Sequence, residues 1–342
     1  MKDDRRRGSR SWGRVRTGLA LALVVFAVRT VEAADVKAVL DAKDVGTVWF
    51  ASAGTLTRPN LLTAYRSGPP TTLSGWLELP EGAGPFPAVV LAHGCNGITQ
   101  SDEAWAAALR EWGYATFLLD SFLGRRVVEV CRDPFRLTGT QRVPDAYGAL
   151  AVLQTHPLLD SGRMALLGFS HGGSLTMVAA TQWAKQTFVP SGRTGFRAFL
   201  AFYPSCNAEY PEARAVSAPL RLHIGEADDW TPASPCAARV HWLQAGGYDA
   251  DIVLYPGAAH AFDVPGLGER YLPQVDNGSD CFVHGPSVLG PFSGLASGCL
   301  RKGAHIGGNS AALEAARSNV RRQLADLLRD TDRGVSDRRP SR

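Results

Sequence analysis

The sequence predicts an α/β fold, a mostly parallel sheet flanked by helices. Two observations carry that expectation. From about residue 70 onward, short apolar runs of strand length alternate with segments whose apolar residues recur every three or four positions, as βα units require. The chain of 342 residues is also 45% hydrophobic, enough to bury a large core, and it shows neither a repeat period nor a long low-complexity tract. One domain over residues 34–330 accounts for this pattern.

The elements follow in order. Residues 71–80 (TTLSGWLELP) and 86–94 (FPAVVLAHG) read as strands divided by a turn-rich EGAGP stretch. Residues 101–113 (SDEAWAAALREWG) read as a helix capped by Ser101 or Asp102 and stopped by Gly113. A strand at 114–122 precedes a helix at 143–157, in which Val143, Tyr147, Leu150 and Leu153 share one face. The alternation continues with a strand at 163–170, a helix at 172–184, strands at 196–205 and 219–228, a helix at 234–247 and a strand at 250–260. Residues 261–308 are rich in Gly and Pro without clear periodicity, so they read as an irregular excursion. A last helix places Leu313, Ala316, Val320, Leu324 and Leu327 at helical spacing, and residues 331–342 read as a flexible, solvated tail.

The first 33 residues are different in kind. A basic stretch, an apolar core of about ten residues and small residues ending at Ala33 match the plan of a secretory signal peptide. An uncleaved anchor is the alternative, although such a core is short for a membrane span. These residues hold eight Lys/Arg and three Asp/Glu, so the remainder carries a net charge of −1 although the whole chain carries +4. No basic surplus is left to favour nucleic acid as a partner. Export to the periplasm or the exterior, with no membrane span after signal cleavage, is the expectation.

The six cysteines then read as disulfides, since an oxidising compartment lets them persist. Cys206 ends one predicted strand and Cys236 follows the turn after the next. Both lie on the same side of the sheet, where neighbouring strands are close enough to be bridged. Proximity in sequence pairs Cys281 with Cys299, which leaves Cys95 for Cys131.

The chemistry centres on Gly168-Phe169-Ser170-His171-Gly172, a G-x-S-x-G pattern between a predicted strand and a predicted helix. A plain glycine-rich turn is one reading. A nucleophile elbow, which presents a serine at the end of a sheet, is the other. A serine nucleophile needs a base and an acid to orient it, in the chain order serine, acid, histidine. Asp228 and Asp229 follow a predicted strand; Gly225 and Pro232 around them favour Asp228, with Asp229 an open alternative. His260 follows the last predicted strand, where a general base belongs. The backbone N–H of His171 and that of Cys95, in the AHGCNG stretch, would form the oxyanion hole. A metal pair of His93 and Cys95 is the competing reading of that stretch, but no further ligands gather near it. The expected chemistry uses no metal and no cofactor.

The stretches AHGCNG, GFSHGG, GEADDWTP and HAFD, in that order over residues 70–265, resemble the dienelactone hydrolase family. The resemblance implies an α/β-hydrolase fold with a doubly wound sheet, and hydrolysis of a small-molecule carboxylic ester or lactone through an acyl-enzyme. The name-giving enzymes have a cysteine nucleophile where this chain has Ser170, so their particular lactone is not implied. The resemblance also places Arg125 near a substrate carboxylate, against the simpler reading of a surface arginine. Two other classes share features of the pattern: a peptidase like the prolyl oligopeptidases, and a non-catalytic binding protein on a hydrolase fold.

Overall fold

Strands that are apolar at every position can only be buried on both faces, and here they form the middle of the sheet. The computed structural model describes residues 35–60, 62–294 and 298–329, so the expected signal at 1–33 and tail at 331–342 lie outside the described residues.

The described residues open with four strands for which the sequence reading gave no element: β1 (Val36–Lys37), β2 (Gly46–Ala51), β3 (Thr55–Thr57) and β4 (Arg66–Gly68). There follow β5 (Thr72–Glu78), β6 (Phe86–Ala92), α1 (Gln100–Glu111), β7 (Ala115–Asp120), α2 (Val143–Leu153) and β8 (Leu159–Phe169). The second half holds α3 (His171–Ala179), α4 (Gln182–Phe188), β9 (Ala198–Phe202), β10 (Ala208–Glu209), β11 (Leu220–Gly225), α5 (Ala233–Ala245) and β12 (Ala250–Tyr255). Last come β13 (Arg270–Asn277), β14 (Val283–His284), β15 (Arg301–Ile306) and α6 (Ser310–Leu327).

Nine strands form the main sheet in the order β1-β2-β5-β7-β6-β8-β9-β11-β12. Only β5 runs against the rest, pairing antiparallel with both β2 and β7. The chain passes from β6 outward to β7 and then back across to β8, so the direction of winding reverses beside β6. Ligand sites in such sheets form outside the carboxyl ends of the strands at that reversal.

Two apolar layers cover the sheet. Val89 and Leu91 of β6 meet Trp105 and Leu109 of α1 and Val320 and Leu324 of α6 on one face. Ala88, Val90 and Ala92 of the same strand face the residues of α2, α3 and α5 on the other.

Two local readings differ from the sequence expectation, and one strand has no counterpart in it. The helix expected at 172–184 breaks at Thr181, because that side chain caps α4 by accepting from the Ala184 N–H while its backbone bridges Val216. The stretch 46–51 is a full member of the main sheet. The excursion at 261–308 is more regular than expected: β13 pairs antiparallel with β15, and β14 pairs with β10. Pro273 and a register shift between Leu272 and Asp276 interrupt the strand and hide its alternation.

Candidate active site

Ser170 sits between β8 and α3 with φ 52° and ψ −111°, a backbone conformation that side-chain-bearing residues seldom adopt. Such strain persists only where the surroundings enforce it, and here they do. A Cβ at position 168 would strike the Gly172 carbonyl, and one at 172 would strike the Ala92 carbonyl. The glycines therefore let the elbow close against itself and against the end of β6. This is what a strand interrupted by Gly168, Gly172 and Gly173 achieves: Ser170 is held out at the sheet's carboxyl end.

His260 follows β12 and presents Nε2 at 2.9 Å from Ser170 Oγ. Its Nδ1 lies 2.8 Å from Asp228 Oδ2. Asp228 is in turn fixed by its own turn: Oδ1 accepts from the backbone N–H groups of Trp230 and Thr231 at 2.9 and 2.8 Å. Thr231 Oγ1 lies 3.0 Å from Asp228 Oδ2. The neighbouring Asp229 faces elsewhere, with Oδ2 at 2.7 Å from His305 Nδ1 and Oδ1 accepting from the His305 N–H at 2.9 Å. Of the two aspartates, Asp228 meets His260.

The AHGCNG stretch runs past the serine. A Cβ on Gly94 would lie 3.8 Å from Ser170 Cβ. Among the described residues no protein acceptor takes the N–H of Cys95 or of His171, so both remain available to an oxyanion. The sulfur of Cys95 is bonded to Cys131. His93 has Nδ1 at 2.7 Å from the Gly94 carbonyl, while its Nε2 accepts from the Ser121 N–H at 3.4 Å. Neither side chain is free to act as a metal ligand.

One buried cation lies behind this arrangement. Arg142 Nη1 donates to the His93 carbonyl at 3.0 Å and to His171 Nδ1 at 2.7 Å, and its guanidinium lies over the Phe122 ring. Burial pushes the Arg142 guanidinium down to about 10 and, aided by the Arg142 charge, His171 down to about 3. His171 is therefore neutral and accepts from Arg142. Nothing in the sequence pointed to Arg142, because a lone arginine at the start of a helix carries no pattern.

Arg125 does not reach the site. Its guanidinium forms a two-point ion pair with the fully buried Asp145, at 2.7 and 2.8 Å, and donates to the Ser121 carbonyl. It lines neither cavity around Ser170. The expected contact with a substrate carboxylate thus gives way to a structural role, in which Arg125 neutralises a carboxylate that burial would otherwise penalise.

All six cysteines are bonded, as Cys95–Cys131, Cys206–Cys236 and Cys281–Cys299, with Cα separations of 5.0, 5.1 and 5.0 Å. Ser170 borders two cavities, of about 290 and about 510 Å³. The excursion contributes to both and so roofs the site.

Comparison with known proteins places these features in a wider set. The sequence model described as "Dienelactone hydrolase family" matches residues 73–274. A Bradyrhizobium protein described as a probable 2-oxo-3-(5-oxofuran-2-ylidene)propanoate lactonase is 23% identical over 199 residues, 55% of this chain and 77% of its own length. A Methylorubrum extorquens protein described as "Putative carboxymethylenebutenolidase" is 23% identical over 262 residues, 72% of this chain and 80% of its own. Among solved structures, a dienelactone hydrolase-like promiscuous phosphotriesterase from metagenomic libraries superposes with a TM-score of 0.52 at 16% identity, covering 82% of this chain and 99% of its own. At that identity the likeness is one of fold, the α/β-hydrolase fold.

Proposed function

The chain belongs to the dienelactone hydrolase family and is a hydrolase of carboxylic esters or lactones, and from that premise we propose that Ser170 is its nucleophile, His260 its general base and Asp228 the carboxylate that orients the base. The observation that carries the assignment is the continuous chain from Ser170 Oγ through His260 to Asp228.

Ser170 Oγ attacks the ester carbonyl carbon as its proton passes to His260 Nε2, and the oxyanion takes the N–H groups of Cys95 and His171. Collapse breaks the bond to the alcohol oxygen, which receives the proton from Nε2. Water, activated by the same histidine, then releases the acid and restores Ser170. Asp228, fixed by three donors in addition to His260, offers Oδ2 to Nδ1–H, so that Nε2 is the lone pair turned toward the serine. No step calls on a metal or an organic cofactor.

The proposal includes export. Three disulfides suit an oxidising compartment, and no described helix is long and apolar enough to cross a membrane. The test of the triad is direct. A fluorophosphonate should label Ser170, and Ser170→Ala should lose labelling and at least about 10⁴-fold in kcat for an activated ester while melting like the parent. A variant that keeps full turnover would remove Ser170 from the mechanism.

A further inference from the structure

The last residue of the HAFD stretch, Asp263, takes no direct part in the proton relay. It is almost wholly buried three residues beyond His260, with Oδ1 accepting from Tyr203 Oη at 2.6 Å and Oδ2 accepting from Trp105 Nε1 of α1 at 2.7 Å. Among the described residues no lysine or arginine pairs with it. A carboxylate kept out of water by two neutral donors is costly to bury, so packing alone does not account for it.

Tyr203 is the link to the triad. Its ring lies against the His260 imidazole, with centroids 4.5 Å apart. Its carbonyl is 3.0 Å from the Thr231 hydroxyl, which is itself 3.0 Å from Asp228 Oδ2. Tyr203 has φ 36°, a left-handed conformation that, glycines aside, it shares among the described residues with Arg126, Ser170 and Ala261. Three of these four are therefore the proposed nucleophile, the neighbour of His260 and the residue packed on His260. Strain of this kind collects where function requires a fixed geometry.

The contacts close a circuit. From His260 the chain runs through Ala261 and Phe262 to Asp263, and from Asp263 the hydrogen bond to Tyr203 leads back to the His260 ring. Asp228 holds the imidazole by its edge, at Nδ1. An edge contact alone lets a ring tilt; a contact on the ring itself does not.

We propose that Tyr203 and Asp263 are positioning residues for His260: the phenol, tied to the carboxylate, fixes the imidazole, and the buried negative charge behind it favours the imidazolium that forms when Ser170 gives up its proton. The pair can act in this way only if Ser170 is the nucleophile and His260 the base, as proposed above. The imidazolium belongs to the transition state and not to the resting enzyme, so a charge that favours it lowers the barrier. Other charges surround the pair. Asp228 lies on the histidine's edge, Arg270 of β13 lines the cavity that His260 lines, and Arg317 of α6 lies over the Trp105 ring. Asp102 of α1 acts on both Tyr203 and Asp263, and burial pushes it up to about 6, where a histidine base also titrates.

The test is hydrolysis of an activated ester from about pH 5 to 9, with kcat and KM measured separately; kcat/KM should rise with pH as His260 loses its proton. Asp263→Asn keeps the shape and an acceptor for Trp105 but removes the charge. It should lower kcat on the plateau by about tenfold or more at little change in KM. Because the imidazolium loses a favourable charge, the midpoint of the rise should move to lower pH by about half a unit to one unit. Tyr203→Phe keeps the ring but cuts the tie, and should fall between the parent and Asp263→Asn on both readings; it decides alone if Asp263→Asn does not fold. Asp102→Asn takes the second acid out of the window, and the shift due to Asp263→Asn should persist in that background. A merely structural pair would lower Tm and leave the midpoint and the kcat of the folded fraction at the parent's values. That result, or a shift that vanishes with Asp102→Asn, overturns the proposal. The triad fails separately: a parent without the rise, or a His260→Gln variant that hydrolyses like the parent, removes the base on which the pair would act.

Discussion

At the scale of single residues, the clearest division is between the two adjacent aspartates. Asp228 is buried against His260, whereas Asp229 reaches out to His305 at the surface. Asp228→Asn should cost about 10⁴-fold in kcat, the effect of leaving a catalytic histidine in the wrong tautomer. Asp229→Asn should stay within about threefold of the parent, because surface ion pairs contribute little; the reverse ranking would refute the assignment. Arg142 acts at one remove, by tying the His93 carbonyl and the His171 ring, and thereby the two segments that carry the proposed oxyanion donors. Both bonds come from the one nitrogen Nη1, and Arg142→Lys keeps a cation but loses the planar guanidinium that holds this nitrogen in place over Phe122. It should lower kcat by about 10² to 10³ with a much smaller change in KM, as losing an oxyanion donor does. Steady-state kinetics distinguishes this from a structural role, which would show as a lowered Tm at unchanged kcat for the folded fraction.

At the scale of elements, the attachment of α6 to the sheet makes stability depend on pH. His223 on β11 is fully buried, stacked on Phe202, with Nδ1 at 2.7 Å from Tyr255 Oη and Nε2 at 3.0 Å from Gln323 Oε1 of α6. Burial pushes it down to about 4 from 6.5. A base whose folded value is depressed adds stability that is complete above its unfolded value and is lost as pH falls toward the folded one. The window is therefore pH 6.5 to about 4, and the loss across it is roughly 3 kcal/mol. Denaturant titrations at a series of pH values should show stability falling over this range, and His223→Gln should flatten that fall while lowering the plateau at pH 7. An unchanged slope in the variant would assign the effect to other groups. His223 also shows where sequence reading stops. The strands β6, β7, β8, β9, β11 and β12 were legible because continuous apolar runs ended in turn residues, and the candidates Ser170, His260 and the pair Asp228 and Asp229 stood out because each follows such a run. Arg125 was misplaced because position after a strand does not say which way a long side chain turns, and the buried Asp145 that captures it lies on a different element. The pairing of β13 with β15 was hidden for a similar reason: its partner is some thirty residues away, and no local pattern announces it.

At the scale of the whole molecule, the disulfides stand at three places: the stretch around Cys95, the loop after β9, where Cys206 and Cys236 belong to the main apolar layer, and the excursion. They close loops with sequence separations of 36, 30 and 18. In the chain-entropy view each contributes about 3 to 4 kcal/mol by restricting the unfolded chain. Together that is of the order of the whole stability of an ordinary domain, about 5 to 15 kcal/mol. They should not yield to reductant alike. Cys236 is fully buried and Cys206 nearly so, whereas Cys95 lies at the rim of both cavities beside Ser170. Thiol–disulfide exchange depends on access to a sulfur, so Cys95–Cys131 should open well before Cys206–Cys236. Graded reduction should therefore abolish ester hydrolysis in a first step, as the stretch that carries the Cys95 N–H loses its anchor, and melt the fold only in a second. Alkylation with peptide mapping identifies which thiols each step frees, and the far- and near-ultraviolet circular dichroism reports the fold. If activity survives release of Cys95 and Cys131, the bridge serves stability alone. If Cys206 and Cys236 are freed first, burial does not set the order of opening.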